Sequence, residues 1–287
     1  MDQAIKSYKV EKVISSIEKL PTLPTIYVKI SHLIEASDST IKIISNTISE
    51  DQAIAVMVLK LVNSAFYGFS QTIGSLQRAI VILGLNEIKN LVLTTSILKT
   101  IKLFKSGHIF DLQEFWKHSI GCAVSARVLA ETAYLKNPEE VFAGGLLHDI
   151  GKLIHATYLS EEFAEVVADV DETGLAMFES EEKILGFNHA QMGSVLAKKW
   201  RLPQETINMI AYHHMPDMPA TLAKEIAAVH IGNTLCTALR LGSGGEKRIP
   251  VVNQKAWKVL DLKLNDLEYV MIRTAKLFEE SISILGF

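Results

Sequence analysis

The 287-residue chain predicts an all-α fold. Apolar residues recur at spacings of three and four through most of its length, capping residues and glycine stops punctuate those stretches, and no alternating strand pattern bounded by turn chemistry occurs. A chain of this length buries a substantial core and is expected to divide into two lobes, residues 1–107 and 108–287. The first starts at Leu20-Pro21-Thr22-Leu23-Pro24, where Pro24 in a first turn opens a helix. Helices follow over 25–36, 40–49, 51–65, 75–83 and 86–104, with Asp51 and Ser75 as N-terminal caps and Gly68 and Gly84 as stops. Ser106-Gly107-His108-Ile109-Phe110-Asp111 interrupts the pattern and marks the boundary.

The second lobe continues with helices over 112–134, 138–157, 160–171, 175–186, 189–200, 203–214, 220–241 and 264–285. The helix from 138 has Asn137 as cap, Pro138 in its first turn, and Glu139 and Glu140 where the helix dipole favours acids. Residues 242–249, Gly-Ser-Gly-Gly-Glu-Lys-Arg-Ile, read as a flexible surface loop.

Composition narrows the function classes. With 48% hydrophobic and 21% charged residues, the chain is an ordinary globule without long disorder. A net charge of −3 offers no basic face for neutralising phosphates, so nucleic acid is not an expected partner. Lys99, Lys102 and Lys105 lie at helical spacing and read as a solvated face. Cys122 and Cys236, far apart and without a CxxC partner, read as reduced core thiols. The first residues lack the apolar run of a secretory leader, and Asn86, Glu87, Lys89, Asn90 and Asn233 break the most apolar segments. The expected location is therefore the cytoplasm, without membrane association.

Function is concentrated in the histidines. Gly144-Gly145-Leu146-Leu147-His148-Asp149-Ile150-Gly151-Lys152 carries an adjacent His-Asp pair on a helical stretch, and His118, His189, His213 and His214 bring the candidate set to five of the nine histidines. Ligands this far apart in sequence suit a site assembled between packed helices. Phe142, Leu146, Ile150 and Leu153 form the core-facing stripe. An interior glycine costs about 1 kcal/mol against alanine, so Gly144 and Gly145 imply either close approach of another helix or room for a ligand. In the segment from Pro203 to Pro216, Ile207, Ile210, Ala211 and His214 share a face, and Pro216 ends the helix so that His213 and His214 converge. Imidazoles with one carboxylate suit iron, manganese, zinc, nickel or cobalt rather than calcium, and Asp149 is a candidate bridge between two ions. Lys152, one turn after His148, suits an anionic substrate or phosphate leaving group. For His32, His108, His155 and His230 an ordinary structural role is expected.

These motifs resemble the HD superfamily of metal-dependent phosphohydrolases, and more narrowly its HDOD branch of bacterial signalling output domains, over residues 18–285. The first half contributes Leu20-Pro21-Thr22-Leu23-Pro24, Leu61-Val62-Asn63-Ser64-Ala65-Phe66-Tyr67-Gly68 and Ser75-Leu76-Gln77-Arg78-Ala79-Ile80. The second contributes Phe115-Trp116-Lys117-His118, the segment around His148-Asp149, Asn188-His189-Ala190-Gln191-Met192-Gly193 and Tyr212-His213-His214. The resemblance implies an N-terminal helical lobe packed on an HD-type domain, with His118, His148 and Asp149 as metal ligands. It also implies that Asn233 stands where the family carries a final aspartate. His189, His213 and His214 are similar to the additional ligands of dinuclear HD-GYP phosphodiesterases that cleave cyclic di-GMP, although Met-Pro-Asp-Met-Pro follows His214 in place of the Gly-Tyr-Pro signature. Two functions are implied. One is a signal-transduction regulator acting through signalling-protein partners or a small phosphate-containing ligand, with a homodimer as the candidate assembly. The other is an active metal-dependent phosphohydrolase with Asp149 and Lys152 in catalytic roles.

Overall fold

The computed structural model describes residues 2–17, 22–23, 25–36, 39–101, 111–214, 221 and 223–286. Among these the chain is helical and contains no strand. It forms two compact units: one takes Met1–Leu20 and Phe104–Phe278, the other Pro21–Leu103 and Glu279–Phe287. This differs from a single cut at residue 107 at both ends of the chain. Helix α1 (Asp2–Ser16), which the sequence pattern did not reveal, buries Val10 and Ile14 completely and packs on α12 (His189–Lys199) of the larger unit. The boundary segment 106–110 and Pro24, Lys102, Lys105, His108 and Pro216 lie outside the described residues.

In the smaller unit, α2 (Thr25–Glu35), α3 (Ile41–Ser49), α4 (Gln52–Val62), α5 (Leu76–Leu83) and α6 (Leu85–Ile101) follow the expected order. Asp51 caps α4 by accepting from Ile54 N–H (3.2 Å), and Ser75 caps α5 by accepting from Arg78 N–H (3.2 Å). Gly84, in left-handed geometry at φ +86°, stops α5. Helix α4 ends at Val62 rather than 65 because the Asn63 side chain reaches across the turn. Its amide donates to the Leu59 and Ile73 carbonyls (2.8 and 3.0 Å) and accepts from Ile73 N–H (2.7 Å). The family-like segment at 61–68 is thus a structural clasp.

The larger unit is built around α7 (Leu112–Thr132), whose residues from Phe115 to Ala130 are buried except for the partly buried Lys117. It lies between α8 (Pro138–Leu147) and α14 (Ala223–Ala238). Glycines set these distances. A Cβ on Gly145 would stand 2.8 Å from the Ala123 Cα, and one on Gly232 would stand 2.8 Å from the Ala126 nitrogen. On Gly144 a Cβ would meet the Met209 sulfur of α13 (Gln204–Tyr212) at 2.6 Å, so the glycine pair serves close helix approach. Asn137 makes no side-chain cap; Pro138, Glu139 and Glu140 alone mark the start of α8.

The expected helix over 138–157 is two helices, α8 and α9 (Ile150–Tyr158), broken at His148 and Asp149. The His148 ring takes the Gly145 carbonyl (2.7 Å), and Asp149 leaves helical geometry at φ −98°, ψ 7°. Around this core stand α10 (Ser160–Thr173) and α11 (Met177–Ile184), closed by Phe163, Val166, Val170 and Met177, then α15 (Gln254–Leu260), also unforeseen, and α16 (Leu264–Leu285).

A Cβ on Gly151 would collide with the His189 carbonyl oxygen and lie 2.9 Å from the Gly193 nitrogen, all rigid backbone. Gly151→Ala is therefore expected to destabilise the protein by about 1–3 kcal/mol in urea unfolding, outweighing any gain in helix propensity. Gly74→Ala, with nothing within 4 Å, is the control and should stay within about 0.5 kcal/mol of the parent.

Candidate metal centre

Every candidate ligand sits at a place the local sequence defines. His118 is on α7, seven residues past the N-cap Asp111, which accepts from Gln113 and Glu114 N–H. His148 and Asp149 occupy the break between α8 and α9. His189 is the first residue of α12, behind a capping box in which Asn188 accepts from Gln191 N–H (3.0 Å) and Gln191 returns a bond to Asn188 N–H (3.0 Å). His213 and His214 follow the last turn of α13. All belong to the larger unit.

The six residues meet at the Asp149 carboxylate. Its Oδ2 lies 3.7 Å from His118 Nε2 and 3.3 Å from His148 Nε2; its Oδ1 lies 3.1 Å from His189 Nε2 and 3.6 Å from His213 Nε2. His189 Nε2 is in turn 2.8 Å from His214 Nε2. Two groups of closely spaced ligand atoms result, His118-His148-Asp149 and Asp149-His189-His213-His214, with Asp149 common to both.

The rings are aimed from behind. Carbonyl and carboxylate oxygens only accept, so His148 Nδ1 donates to the Gly145 carbonyl (2.7 Å), His213 Nδ1 to the Ile210 carbonyl (2.7 Å), and His189 Nδ1 to Glu181 Oε2 (2.6 Å). The proton is fixed on the outer nitrogen and Nε2 faces the carboxylate, the arrangement of a metal-ligating imidazole. His118 rests its Nδ1 against Cys236 Sγ (3.5 Å), and His214 stacks on Phe178 with 4.5 Å between ring centres. Burial keeps His118 and His213 neutral, pushing each down to about 3. Burial also opposes charge on His189, but the Glu181 carboxylate prevails and raises it to about 9. Asp149 is held well below the carboxylate range: burial works against its charge, and His148, Lys152 and His189 outweigh burial.

His118 Nε2, His148 Nε2, Asp149 Oδ1 and Asn233 Oδ1 are buried without a hydrogen bond. Each such group costs about 1–3 kcal/mol, and four in one place is more than a fold of ordinary stability leaves unanswered. Two bare imidazole nitrogens beside one buried carboxylate fit a divalent cation. Asn233 lies close enough to His118 to bias its protonation, placing the amide on the His118 side of the cluster.

Lys152 is buried, and its Nζ donates to Asp149 Oδ2 (2.8 Å) and to the Gly244 carbonyl (2.9 Å), with Glu246 Oε1 at 3.8 Å. Burial disfavours its charge, but Asp149 and Glu246 hold the ammonium protonated. The 242–249 segment is thus not uniformly a free loop: Gly244 is buried against the ligands, while Lys247, Arg248 and Ile249 are exposed. Glu181 and Glu246 are site residues the sequence pattern did not reveal, and Cys236, expected as a core thiol, also lies against the site at His118. Glu181 also holds His155 Nδ1 (3.1 Å), which gives that histidine a supporting place behind His189. His230 has an ordinary structural role, donating from Nδ1 to the His213 carbonyl (2.8 Å) and accepting at Nε2 from Asn253 N–H (3.0 Å).

The HDOD-domain family profile matches residues 20–216. The crystal structure of an HDOD domain protein of unknown function from Geobacter sulfurreducens superimposes with a TM-score of 0.78 at 29% identity, covering 99% of this chain and 97% of that one. A proposed phosphohydrolase from Shewanella amazonensis shares the fold, with a TM-score of 0.73 at 23% identity over 96% of this chain and 97% of its own. An uncharacterised protein of Treponema pallidum is 26% identical over 76% of this chain and 42% of its own length, so this chain spans less than half of that curated relative. No helix among the described residues is long and apolar enough to cross a membrane. With the profile covering more than half of its length, the chain belongs to the HDOD family.

Proposed function

We propose that this is a cytoplasmic signal-transduction regulator whose larger unit holds a divalent metal centre of one or two ions, with iron, manganese, zinc or nickel the suited elements. The observation that carries the reading is the sharing of Asp149 between two sets of inward-facing imidazoles. His118, His148 and Asp149 would hold one ion, and Asp149, His189, His213 and His214 a second. Asn233 favours regulation over rapid turnover, because a neutral amide beside His118 contributes less to holding a cation than a carboxylate would. The output then passes to signalling-protein partners, or from a small phosphate-containing ligand, and nucleic acid has no part in it.

Lys152 favours phosphoester hydrolysis as the second reading, since it sets an ammonium against Asp149. A divalent ion held here supplies Lewis acidity toward a phosphate ester and lowers the pKa of water within its reach. The protein's part is to orient the imidazoles through Gly145, Ile210 and Glu181, to exclude water from Asp149, and to offer Lys152 to a phosphate oxygen.

Plasma mass spectrometry of tag-free protein prepared without chelator is expected to find one or two equivalents of metal, lost in Asp149→Ala. Two folded, metal-free samples would refute the centre. Glu181→Gln removes the charge behind His189 and should weaken metal retention by about 10–100-fold, read by chelator competition. Asn233→Asp should tighten it in the same assay. Under the regulatory reading, Asp149→Ala leaves partner binding intact; under the hydrolytic one, metal-loaded protein turns over a member of a nucleotide and cyclic-dinucleotide panel, and a blank panel excludes it.

A further inference from the structure

Residues 242–246 cross the face of the site formed by His118 and Asp149 Oδ2, and they are fastened along their length. Ser243 N–H donates to the Glu114 carbonyl (2.9 Å), the Gly244 carbonyl accepts from Lys152 Nζ (2.9 Å), and Glu246 Oε2 accepts from Met177 N–H (3.3 Å). Gly242 and Gly245 stand at φ +75° and +89°, which a side chain would strain. A Cβ on Gly244 would come within 2.8 Å of His118 Nε2 and 3.2 Å of Asp149 Oδ2, so the backbone rests on ligand atoms themselves.

Two clefts flank this segment. The larger, about 580 Å³, reaches His118 and is lined by Arg240, Lys247 and Arg248; the smaller, about 210 Å³, reaches Lys152. Ser243, Gly244 and Glu246 line both, which makes the segment the partition between them. The partition carries the oxygens that face Lys152, the Gly244 carbonyl and the Glu246 carboxylate.

We propose that residues 242–246 are a closing strap that occupies the approach to His118 and engages Lys152 with oxygens of its own, so that an oxyanion ligand reaches the site only when the strap lifts. Lifting joins the two clefts into one space with Lys152 at one end and Arg240 and Arg248 at the other. It also removes the Glu246 carboxylate, whose charge disfavours an anion beside Lys152. The proposal concerns the site read above as a metal centre, and its test uses metal-free protein so that it fails or survives independently of metal binding.

The test is histidine modification by diethyl pyrocarbonate on the full chain, mapped by mass spectrometry with the exposed His32 as internal reference. In the parent protein His118 is expected to react far more slowly than His32. Glu246→Lys sets a second cation beside Lys152, and Gly244→Val drives a side chain against His118 and Asp149. Release of the strap by either should speed His118 modification by about tenfold, with the His32 rate and far-ultraviolet circular dichroism unchanged. Amide exchange in the unsubstituted protein needs no variant: Ser243 and Gly245 should exchange through local opening, well ahead of the α7 core. The strap is overturned if His118 reacts as fast as His32 in the parent, if it stays protected in both folded variants, or if these amides exchange only with global unfolding.

Discussion

The Asp149 carboxylate is fully buried and ionised, and the surrounding structure answers to that condition. A carboxylate away from water is tolerable only when opposite charge and donors surround it. Lys152 and His189 supply opposite charge, and His118 and His213 supply a polar lining that burial keeps neutral. Bringing five rings to one carboxylate requires helix axes closer than ordinary side chains permit. Gly145 against Ala123, Gly144 against Met209, and Gly151 against His189 and Gly193 meet that requirement. The costly glycines of this sequence and its cluster of ligands are therefore two sides of one constraint.

That constraint explains which features the sequence made legible. The helical pattern, the caps at Asp51 and Ser75, and the separated ligand histidines are properties of residue type and spacing, so they can be read without coordinates. The break at His148 and Asp149 could not be read, because Leu146, Ile150 and Leu153 keep helical spacing straight through it; a side-chain bond to the Gly145 carbonyl decides the geometry. Glu181 was hidden in Glu179-Ser180-Glu181-Glu182, which resembles a solvated acidic face, yet its side chain is entirely buried between two histidines. The glycines of 242–245 signalled special backbone angles, and composition alone does not distinguish a mobile turn from a packed one.

Asn63 and Asn233 show how the same residue type divides between scaffold and site. Asn63 satisfies donor and acceptor within its own unit, binding Leu59 and Ile73. Asn233 leaves its carbonyl oxygen bare beside His118. A motif shared within a family acquires a chemical meaning only through such accounting. Here it separates the Leu61–Gly68 segment, which builds the smaller unit, from the residues that face Asp149.

The outer nitrogens of His148, His189 and His213 are tied to groups that belong to the helices themselves or to a buried acid. Such rings cannot swing to follow an incoming ion, as side chains on a surface loop do. Whatever cation enters must accept spacings laid down when the helices packed, and the conformational entropy of gathering the ligands has already been surrendered in folding. The cluster therefore behaves as a gauge rather than a claw: it selects by radius and preferred angle, and its preference among metals is written into the distances between α7, α8, α12 and α13.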